Sequence, residues 1–375
     1  MLHTLRLFLA TAFMALAMAS ASAQTAGLEK KFRNWLENEL WPTAAKQGIS
    51  RQTFDASLSS VRLNLDLPDL VIPGAAPKVP KKQHQAEFSA PANYFAEKTI
   101  APLVSGGKAR AGQYAKVLKA IEKKYGVPPG IILAIWGRES GFGKAQGNYP
   151  VFDVLATKAY MSTRKDLFQK EVLAALEIVE RGYASPDMMK TSWAGAMGQP
   201  QFLPSSYLDH AVDFDSDGRR DIWNSTPDTL ASIANYLVHY GWEAGRGWGV
   251  EVSVPESVSC ALEGPDQGRP LQAWTEAGVI RANGKPFAKS EAGKEKFLLA
   301  PAGRFGPLFL ATGNFYVIKS YNISDLYALF IGHVADRING GDAGFSAPSG
   351  KIGALARSDI GTMQTAMVSK GYAVG

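Results

Sequence analysis

The residue with the clearest chemical potential in this chain is Glu139, which follows an apolar run and precedes a turn containing two glycines. The run, residues 131–136, reads IILAIW, and Ser-Gly-Phe-Gly follows the carboxylate. If the run is helical, Glu139 lies one turn beyond Ile135 and two turns beyond Ile131, on the same face. A carboxyl group on an apolar face is desolvated, so its pKa should rise and it can hold a proton near neutral pH. Such an acid, in a groove that glycines keep open, suits the cleavage of a glycosidic bond.

A structural explanation for Glu139 stays open at this level. A glutamate at a helix end can also cap the helix or pair with a cation, and a carboxyl in an apolar stripe points to function only statistically. No other acidic residue flanks the Glu139 motif in an obvious pairing. The sequence therefore offers one candidate acid, whereas many glycosidases use two carboxylates.

A second group of candidate residues is the acidic stretch that starts at Asp213. Aspartates occupy its positions 1, 3, 5 and 9, and Gly218 occupies position 6. This spacing matches the start of an EF-hand loop, where oxygen ligands surround calcium and glycine permits a sharp turn. Position 12, normally a glutamate, is Asn224, and Asp228 lies four residues further on. We favour a metal loop over a solvated acidic turn, because carboxylates this close repel one another without a cation.

A third block, residues 193–207, reads WAGAMGQPQFLPSSY. Its small residues let the backbone approach a ligand, Gln201 offers a donor and an acceptor, and the aromatic rings can stack on sugars. Taken alone, the block is more typical of a tight loop before a helix.

Composition and the amino terminus predict an exported soluble protein. Arg6 precedes the apolar stretch 7–18, and Ala21-Ser22-Ala23 is typical of a cleavage site, so residues 1–23 are expected to be a signal peptide. No other stretch approaches a membrane span, and no cysteine at the cleavage site could carry a lipid anchor. Cys260 is the only cysteine, which excludes an internal disulfide and predicts a small buried residue. Zinc chemistry is not expected, since the histidines show no ligand spacing.

Periodicity predicts helices through most of the chain. Residues 24–65 carry the amphipathic stripe Phe32, Trp35, Leu36 and Leu40, and Ser50 is a typical N-cap. Further helices are predicted for the Glu139 run, with proline in its first turn, for 165–181 and 226–240, and from Ser324 to Asn339. The proline-rich residues 66–91 are expected to form an extended connection along the surface.

The pattern changes after Trp248. Val250, Val252 and Val254 alternate with polar residues, and short apolar stretches around 271–280 and 296–310 are separated by glycine and proline. This predicts a small β-rich insertion over 249–312.

Three segments make this chain resemble the lytic murein transglycosylase B family by their order and spacing. They are the Glu139 run, the block 193–207 and the acidic stretch from Asp213. The motifs that carry the resemblance are GRES at 137–140, GAMG at 195–198 and QFLPSSY at 201–207, within roughly residues 28–340. The resemblance implies a mainly α (α+β) fold with a lysozyme-like helical catalytic core. The implied transglycosylase region, 24–340, comprises a helical lobe at about 24–105, the core at about 106–248 and 313–340, and the β-rich insertion at 249–312. A linker at 341–350 leads to residues 351–375, which resemble only the opening of a peptidoglycan-binding domain.

The resemblance further implies a periplasmic peptidoglycan lytic transglycosylase, a carbon–oxygen lyase with Glu139 as its sole catalytic acid and base. Glu139 would protonate the β-1,4 glycosidic oxygen between N-acetylmuramic acid and N-acetylglucosamine, then deprotonate the muramic 6-hydroxyl to close a 1,6-anhydro ring. The substrate's acetamido group would stabilise the intermediate, so no catalytic cofactor is implied. The implied partner is the peptidoglycan glycan strand, with no nucleic acid and no membrane anchor.

Other site residues follow from the resemblance alone. The matching cleft positions are Ser192, Gln201, Tyr236, Tyr321, Asn322 and Tyr327, although each tyrosine could equally be a core residue. A structural calcium would be held by Asp213, Asp215, Asp217, the carbonyl of Arg219 and, after insertion of one residue, Asp228. Three alternatives stay open: a hydrolytic muramidase, a non-catalytic cell-wall-binding scaffold and a calcium sensor. A scaffold would be expected to have lost Glu139, and sensor loops usually come in pairs.

Overall fold

The computed structural model describes residues 25–72, 94–341, 345 and 357–372. These residues fall into two compact units, the first within the ranges Met1–Lys78 and Gln146–Asp209 and the second within Val79–Ala145 and His210–Gly375. The predicted signal peptide, most of the proline-rich connection and most of the linker at 341–350 lie outside the described residues.

Helices make up most of the described chain. In chain order they are α1 (25–35), α2 (Trp41–Lys46), α3 (Arg51–Leu58), α4 (Glu97–Gln113), α5 (Ala115–Tyr125), α6 (Pro129–Ser140), α7 (Val151–Met161), α8 (Lys165–Glu180), α9 (Pro204–His210), α10 (Thr226–His239), α11 (Leu271–Glu276), α12 (Gly313–Ser320), α13 (Asp325–Ile338) and α14 (Arg357–Ser369). A π-helical turn, Leu36–Leu40, joins α1 to α2. Among the described residues, no helix combines the length and apolar character that crossing a bilayer requires.

The first unit is built around the pair α7 and α8, with α3 packed against α8. The predicted stripe, which runs through α1 and the π-helical turn after it, is confirmed, since Phe32, Trp35, Leu36 and Leu40 are all buried. Ser50 caps α3 as predicted, because its hydroxyl accepts the backbone N–H of Thr53 at 3.2 Å. The strands β1 (Tyr149–Pro150) and β2 (Lys190–Thr191) form a small antiparallel pair in the same unit.

The second unit has α6 at its centre, packed between α4 and α13. Pro129 lies at the first position of α6, as predicted, where its missing N–H costs nothing. Residues 130–137 are buried on every side, so α6 is a central helix and not an amphipathic one. The prediction that Glu139 belongs to one apolar face is therefore too narrow, because protein atoms surround this helix on all faces.

The second unit also contains the β-rich insertion. Its strands are β3 (Gly249–Ser253), β4 (Arg269–Pro270), β5 (Ile280–Arg281), β6 (Glu295–Leu299) and β7 (Leu308–Ala311), which form one antiparallel sheet in the order β4-β6-β7-β3-β5. Val252 lies opposite Leu308 and is buried in a core with Trp274 and Leu298. The mainly α fold class with a small β-rich insertion is confirmed, although α11 occupies part of the apolar stretch at 271–280.

The prediction for Cys260 is wrong, because this residue is exposed. It begins a short 3-10 turn, Cys260–Leu262, and its Sγ accepts a hydrogen bond from Arg304 Nε at 3.3 Å. The apolar preference of cysteine is outweighed here by the position of the turn at the surface of the insertion.

Candidate active site

Glu139 lies in the last turn of α6, where the backbone changes hand. Gly141, Phe142 and Gly143 have φ angles of 57°, 63° and 83°, all in the left-handed region. The N–H of Gly141 bonds the carbonyl of Gly137 at 3.0 Å, which ends the helix. Phe142 has a side chain that disfavours a positive φ, so the surrounding structure must hold its backbone in this conformation.

The ring of Phe142 is held inside the second unit by close packing. It meets the Trp136 ring edge-on, with centroids 5.4 Å apart, and the Arg110 guanidinium lies 4.5 Å from its centre. Two glycines make room for it: a Cβ added at Gly106 or Gly137 would come within 2.5 Å or 2.7 Å of ring carbons. These contacts fix the helix end that carries Glu139.

Glu139 is half-buried, and its carboxyl group receives one strong hydrogen bond. Tyr327 on α13, which is only 1% exposed, donates its hydroxyl to Glu139 Oε1 at 2.6 Å. Burial raises the pKa of Glu139, while the Tyr327 hydrogen bond and the charge of Arg138 act in the opposite direction and are outweighed. Burial and the nearby carboxylate hold the pKa of Tyr327 well above its ordinary value, so this phenol remains a neutral donor.

Two further tyrosines extend from Tyr327. The ring of Tyr321 stacks on that of Tyr327, with centroids 6.4 Å apart and planes at 12°, and Tyr236 packs against Tyr321 at 4.7 Å. The Tyr236 hydroxyl donates to the carbonyl of Ser320 at 2.8 Å. Three of the predicted cleft residues thus form one aromatic row that begins at Glu139.

The turn between α12 and α13 contains Tyr321 of this row and the predicted residue Asn322, whose side chain is exposed. The next residue, Ile323, has a φ of 46° and is 87% exposed. A β-branched residue in the left-handed region is strained, and such strain persists where a turn has to present particular neighbours. Tyr321, two residues earlier, is half-buried, and its ring packs against those of Tyr327 and Tyr236.

The predicted residues Ser192 and Gln201 belong to the first unit. Ser192 Oγ accepts backbone N–H groups of Ala194 and Ala196, each at 3.3 Å. Gln201 has a φ of 55° and donates its side-chain amide to the carbonyl of Gly198 at 2.8 Å. Both side chains therefore shape the loop in which they lie, and their place in a cleft with Glu139 stays a prediction.

The acidic loop gathers four carboxylates in the second unit. Oxygen atoms of Asp213, Asp215, Asp217 and Asp228 all lie within 4.8 Å of one another. Asp228 is fully buried at the start of α10, and Asp213 Oδ1 is buried with no hydrogen-bond partner. A buried acceptor left unsatisfied beside three other carboxylates fits a hard cation that prefers oxygen ligands.

The other acidic residue of the loop has a different role. Asp221 accepts the backbone N–H groups of Trp223 and Asn224, each at 2.9 Å, so it closes the turn and is not in the carboxylate cluster. The backbone N–H of Arg219 donates to Asp217 Oδ1 at 2.8 Å, which orients that carboxylate. A contribution from the Arg219 carbonyl stays a prediction.

Sequence reasoning did not single out Arg138, although it adjoins Glu139. Its guanidinium lies 5.2 Å from the Tyr94 ring centre and 5.1 Å from that of Phe330, and it donates to the Tyr94 hydroxyl at 3.2 Å. The Arg138 cation is thereby held beside Glu139, and its charge lowers the pKa of that carboxyl against the larger effect of burial. The signal that could have identified Arg138 was its position within the GRES motif.

The fold and the site together define a lysozyme-like enzyme with Glu139 as its candidate acid in a helical core. A family model described as "Transglycosylase SLT domain" matches residues 31–336, which is most of the chain, and the protein belongs to this family. The resemblance found in the sequence is thus confirmed.

Individual relatives support this family assignment. The chain is 31% identical over 297 residues to membrane-bound lytic murein transglycosylase B of Escherichia coli (strain K12), a match over 76% of this chain and 77% of the relative. It is 36% identical to SltB3 of Pseudomonas aeruginosa, solved in complex with NAG-anhNAM-pentapeptide, with a TM-score of 0.79 over 92% of this chain and 89% of that one. It is 27% identical to the Escherichia coli lytic transglycosylase Slt35, solved in complex with calcium, with a TM-score of 0.64 over 83% and 92% of the two chains.

Proposed function

We propose that this protein is a periplasmic lytic transglycosylase. It cleaves the β-1,4 bond between N-acetylmuramic acid and N-acetylglucosamine in peptidoglycan and leaves a 1,6-anhydromuramic end. The observation that carries the proposal is the single carboxyl of Glu139, kept protonatable by burial and held in place by Tyr327. The murein transglycosylases among its relatives support the choice of substrate.

In the first step, protonated Glu139 donates its proton to the glycosidic oxygen as the bond to the muramic anomeric carbon breaks. A glutamate with a raised pKa is still protonated at a pH at which an ordinary glutamate is ionised. Burial therefore prepares Glu139 for the role of acid. The acetamido oxygen of the same sugar bonds to the anomeric carbon as the leaving group departs, which gives a cyclic cationic intermediate.

In the second step, the Glu139 carboxylate takes the proton of the muramic 6-hydroxyl. The oxygen of this hydroxyl attacks the anomeric carbon, the acetamido group is released, and Glu139 returns to its protonated state without consuming water. Between the two steps Glu139 is charged, and the Tyr327 hydroxyl, which bonds Oε1 at 2.6 Å, stabilises this carboxylate.

We place substrate binding on the predicted cleft residues. Tyr236, Tyr321 and Asn322 would position the sugars on the Glu139 side of the second unit, and Ser192 and Gln201 would act through the loop of the first unit. The transglycosylase region is proposed to span residues 24–340, with export directed by residues 1–23.

We also assign a structural calcium to the acidic loop. Asp213, Asp215, Asp217, Asp228 and the carbonyl of Arg219 would hold the ion, which would neutralise the cluster and fix the loop onto α10. Support comes from the unsatisfied Asp213 oxygen and from the calcium complex of the relative Slt35. The ion has no part in the proton transfers.

The proposal is tested by digesting purified sacculi and weighing the released muropeptides. A lytic transglycosylase gives products lighter by one water than those of a hydrolytic muramidase. The anhydro mass is expected as the main product. Products of hydrolysed mass would overturn the proposal in favour of a muramidase, and the absence of any release would favour a wall-binding scaffold.

Replacing Tyr327 with phenylalanine should shift the pH dependence of cleavage. The hydroxyl lowers the pKa of Glu139, so its removal raises that pKa further and moves the alkaline limb of the pH–rate profile to higher pH. The rate should also fall about tenfold, because the carboxylate formed between the steps loses a charged hydrogen bond.

Tyr316→Phe is the matched control for this measurement. It removes a buried hydroxyl that has no hydrogen-bond partner, in the same unit, and should leave the profile unchanged. A Tyr327→Phe profile that coincides with that of the unmodified enzyme would show that the hydrogen bond does not tune the acid.

A further inference from the structure

The β-rich insertion of the second unit contains a cavity of about 300 Å³ that the proposed chemistry does not use. Apolar side chains form part of its lining, among them Val250, Leu271 and Leu310. Arg246, Arg281, Lys296 and Glu291 also line it. An apolar cavity with a few charged groups, at the small end of the usual range, is typical of a site for a small ligand.

Two arginine side chains present unused donors in this region. Arg246 Nε and Arg281 Nε are both buried and have no hydrogen-bond partner among the residues that the structure describes. The Arg246 side chain is only 9% exposed and is fixed by two bonds from Nη1 to the Glu243 carboxylate, at 2.8 and 2.9 Å. Buried N–H groups are nearly always paired, so two unpaired ones at one cavity point to a missing acceptor.

The charges around the cavity favour an anion. Glu291 is its one acidic lining residue, and both Lys294 and Lys296 donate to its carboxylate. Although burial acts in the opposite direction, these lysines lower the pKa of Glu291, so its charge is already matched. Arg281 forms no ion pair with any carboxylate in the described part of the chain, and Arg246 Nε stays 3.9 Å from Glu291 Oε2. The lining therefore carries a net positive charge.

We propose that this cavity binds a small organic carboxylate with an apolar body, of the kind found at the C-terminal end of a short peptide. The carboxylate would accept N–H groups of Arg281 and Arg246, in the charge-assisted geometry that guanidinium groups favour. The aliphatic part of the ligand would lie on the apolar lining. An inorganic anion such as phosphate would meet the charges but leave these apolar surfaces without a partner. The site stands apart from glycan cleavage, so the proposal does not depend on the proposed function.

The test is a binding titration of the full chain carrying Glu139→Gln, which removes any turnover of wall material. The probes are N-acetyl-alanyl-alanine, its C-terminal amide and inorganic phosphate, followed by calorimetry and by NMR shifts of residues 249–311. The carboxylate should bind at least about tenfold more tightly than the amide, because charged hydrogen bonds are replaced by neutral ones. Phosphate should also bind more weakly than the dipeptide.

Two variants locate the site. Arg281→Gln should weaken carboxylate binding by about tenfold or more, and Arg281→Lys, which keeps the charge and is the milder change for folding, should weaken it less. Lys285→Gln is the matched control: it removes one positive charge from the turn after β5, does not line the cavity, and should leave binding unchanged. Absence of binding, equal binding of acid and amide, phosphate binding as tight as the dipeptide, or equal loss in the Lys285 variant would each overturn the proposal.

Discussion

Glu139→Gln should abolish the cleavage of sacculi while the protein stays folded. Glutamine keeps the shape of the side chain and can still accept the Tyr327 hydroxyl, but it can neither give nor take the catalytic proton. General acid–base assistance is worth about 10²- to 10⁴-fold in rate, and loss of the only such group should fall at or beyond the upper end. The rate of release of muropeptides from purified sacculi measures the effect.

The same substitution should increase stability at neutral pH. Burial raises the pKa of Glu139 above its ordinary value of 4.5, so the folded protein holds this proton more tightly than the unfolded chain. Folding free energy is therefore lost as the pH rises from the ordinary value through the folded one. Glutamine carries no such penalty, so the variant should melt higher than the parent at pH 7 and equally at acidic pH.

Glu263→Gln provides the control, because it makes the same change at an exposed glutamate of the β-rich insertion. It should leave the melting temperature at pH 7 close to that of the parent and keep full activity. A folded Glu139→Gln protein with near-normal turnover would remove Glu139 from the mechanism.

Calcium should raise the melting temperature of the unmodified protein and not that of Asp217→Ala. The substitution removes one of the four clustered carboxylates that are proposed to hold a hard cation. A ligand at a hundred times its Kd stabilises the folded state by about 2.7 kcal/mol, which is several degrees for a protein of this kind. Thermal melts with millimolar calcium or with a chelator measure the difference.

Asp266→Ala serves as the control for the calcium experiment. Asp266 is an exposed aspartate of the same unit outside the cluster, so its loss should leave the calcium response intact. If millimolar calcium does not move the melting curve of the unmodified protein, the loop is an acidic turn without a resident ion.

Local features of the fold were accessible from the sequence because they depend on near neighbours. The cap Ser50 and the proline at the start of α6 act over three or four residues, and each lies where the pattern predicts it. The apolar run before Glu139 predicted a helix correctly, but it could not distinguish a half-buried helix from one that is surrounded.

The contacts that prepare the acid are long-range, and no local pattern contains them. Tyr327 is 188 residues from Glu139, and only the packing of α13 on α6 brings the two together. Without the family resemblance, nothing in the sequence connects this tyrosine with Glu139. Phe142 is a similar case, since its left-handed backbone follows from room that Gly106 and Gly137 leave for its ring.

The acidic loop shows the same difference between what a local pattern predicts and what tertiary packing determines. The spacing of Asp213, Asp215 and Asp217 predicted a cluster, because residues two apart in such a loop turn toward a common centre. Asp221 fits the spacing equally well, yet it closes the turn, and the fourth carboxylate is that of Asp228 at the start of α10. The packing of the loop on α10 determines that Asp228, and not Asp221, joins the cluster.

Cleavage of sacculi in heavy-oxygen water tests most directly whether the substrate's own hydroxyl is the acceptor. If Glu139 activates the muramic 6-hydroxyl, the new muramic ends are anhydro rings that contain no oxygen from the solvent. Mass spectrometry should therefore find these ends unlabelled and lighter by one water. Labelled reducing ends as the main product would contradict the account and make the enzyme a hydrolase.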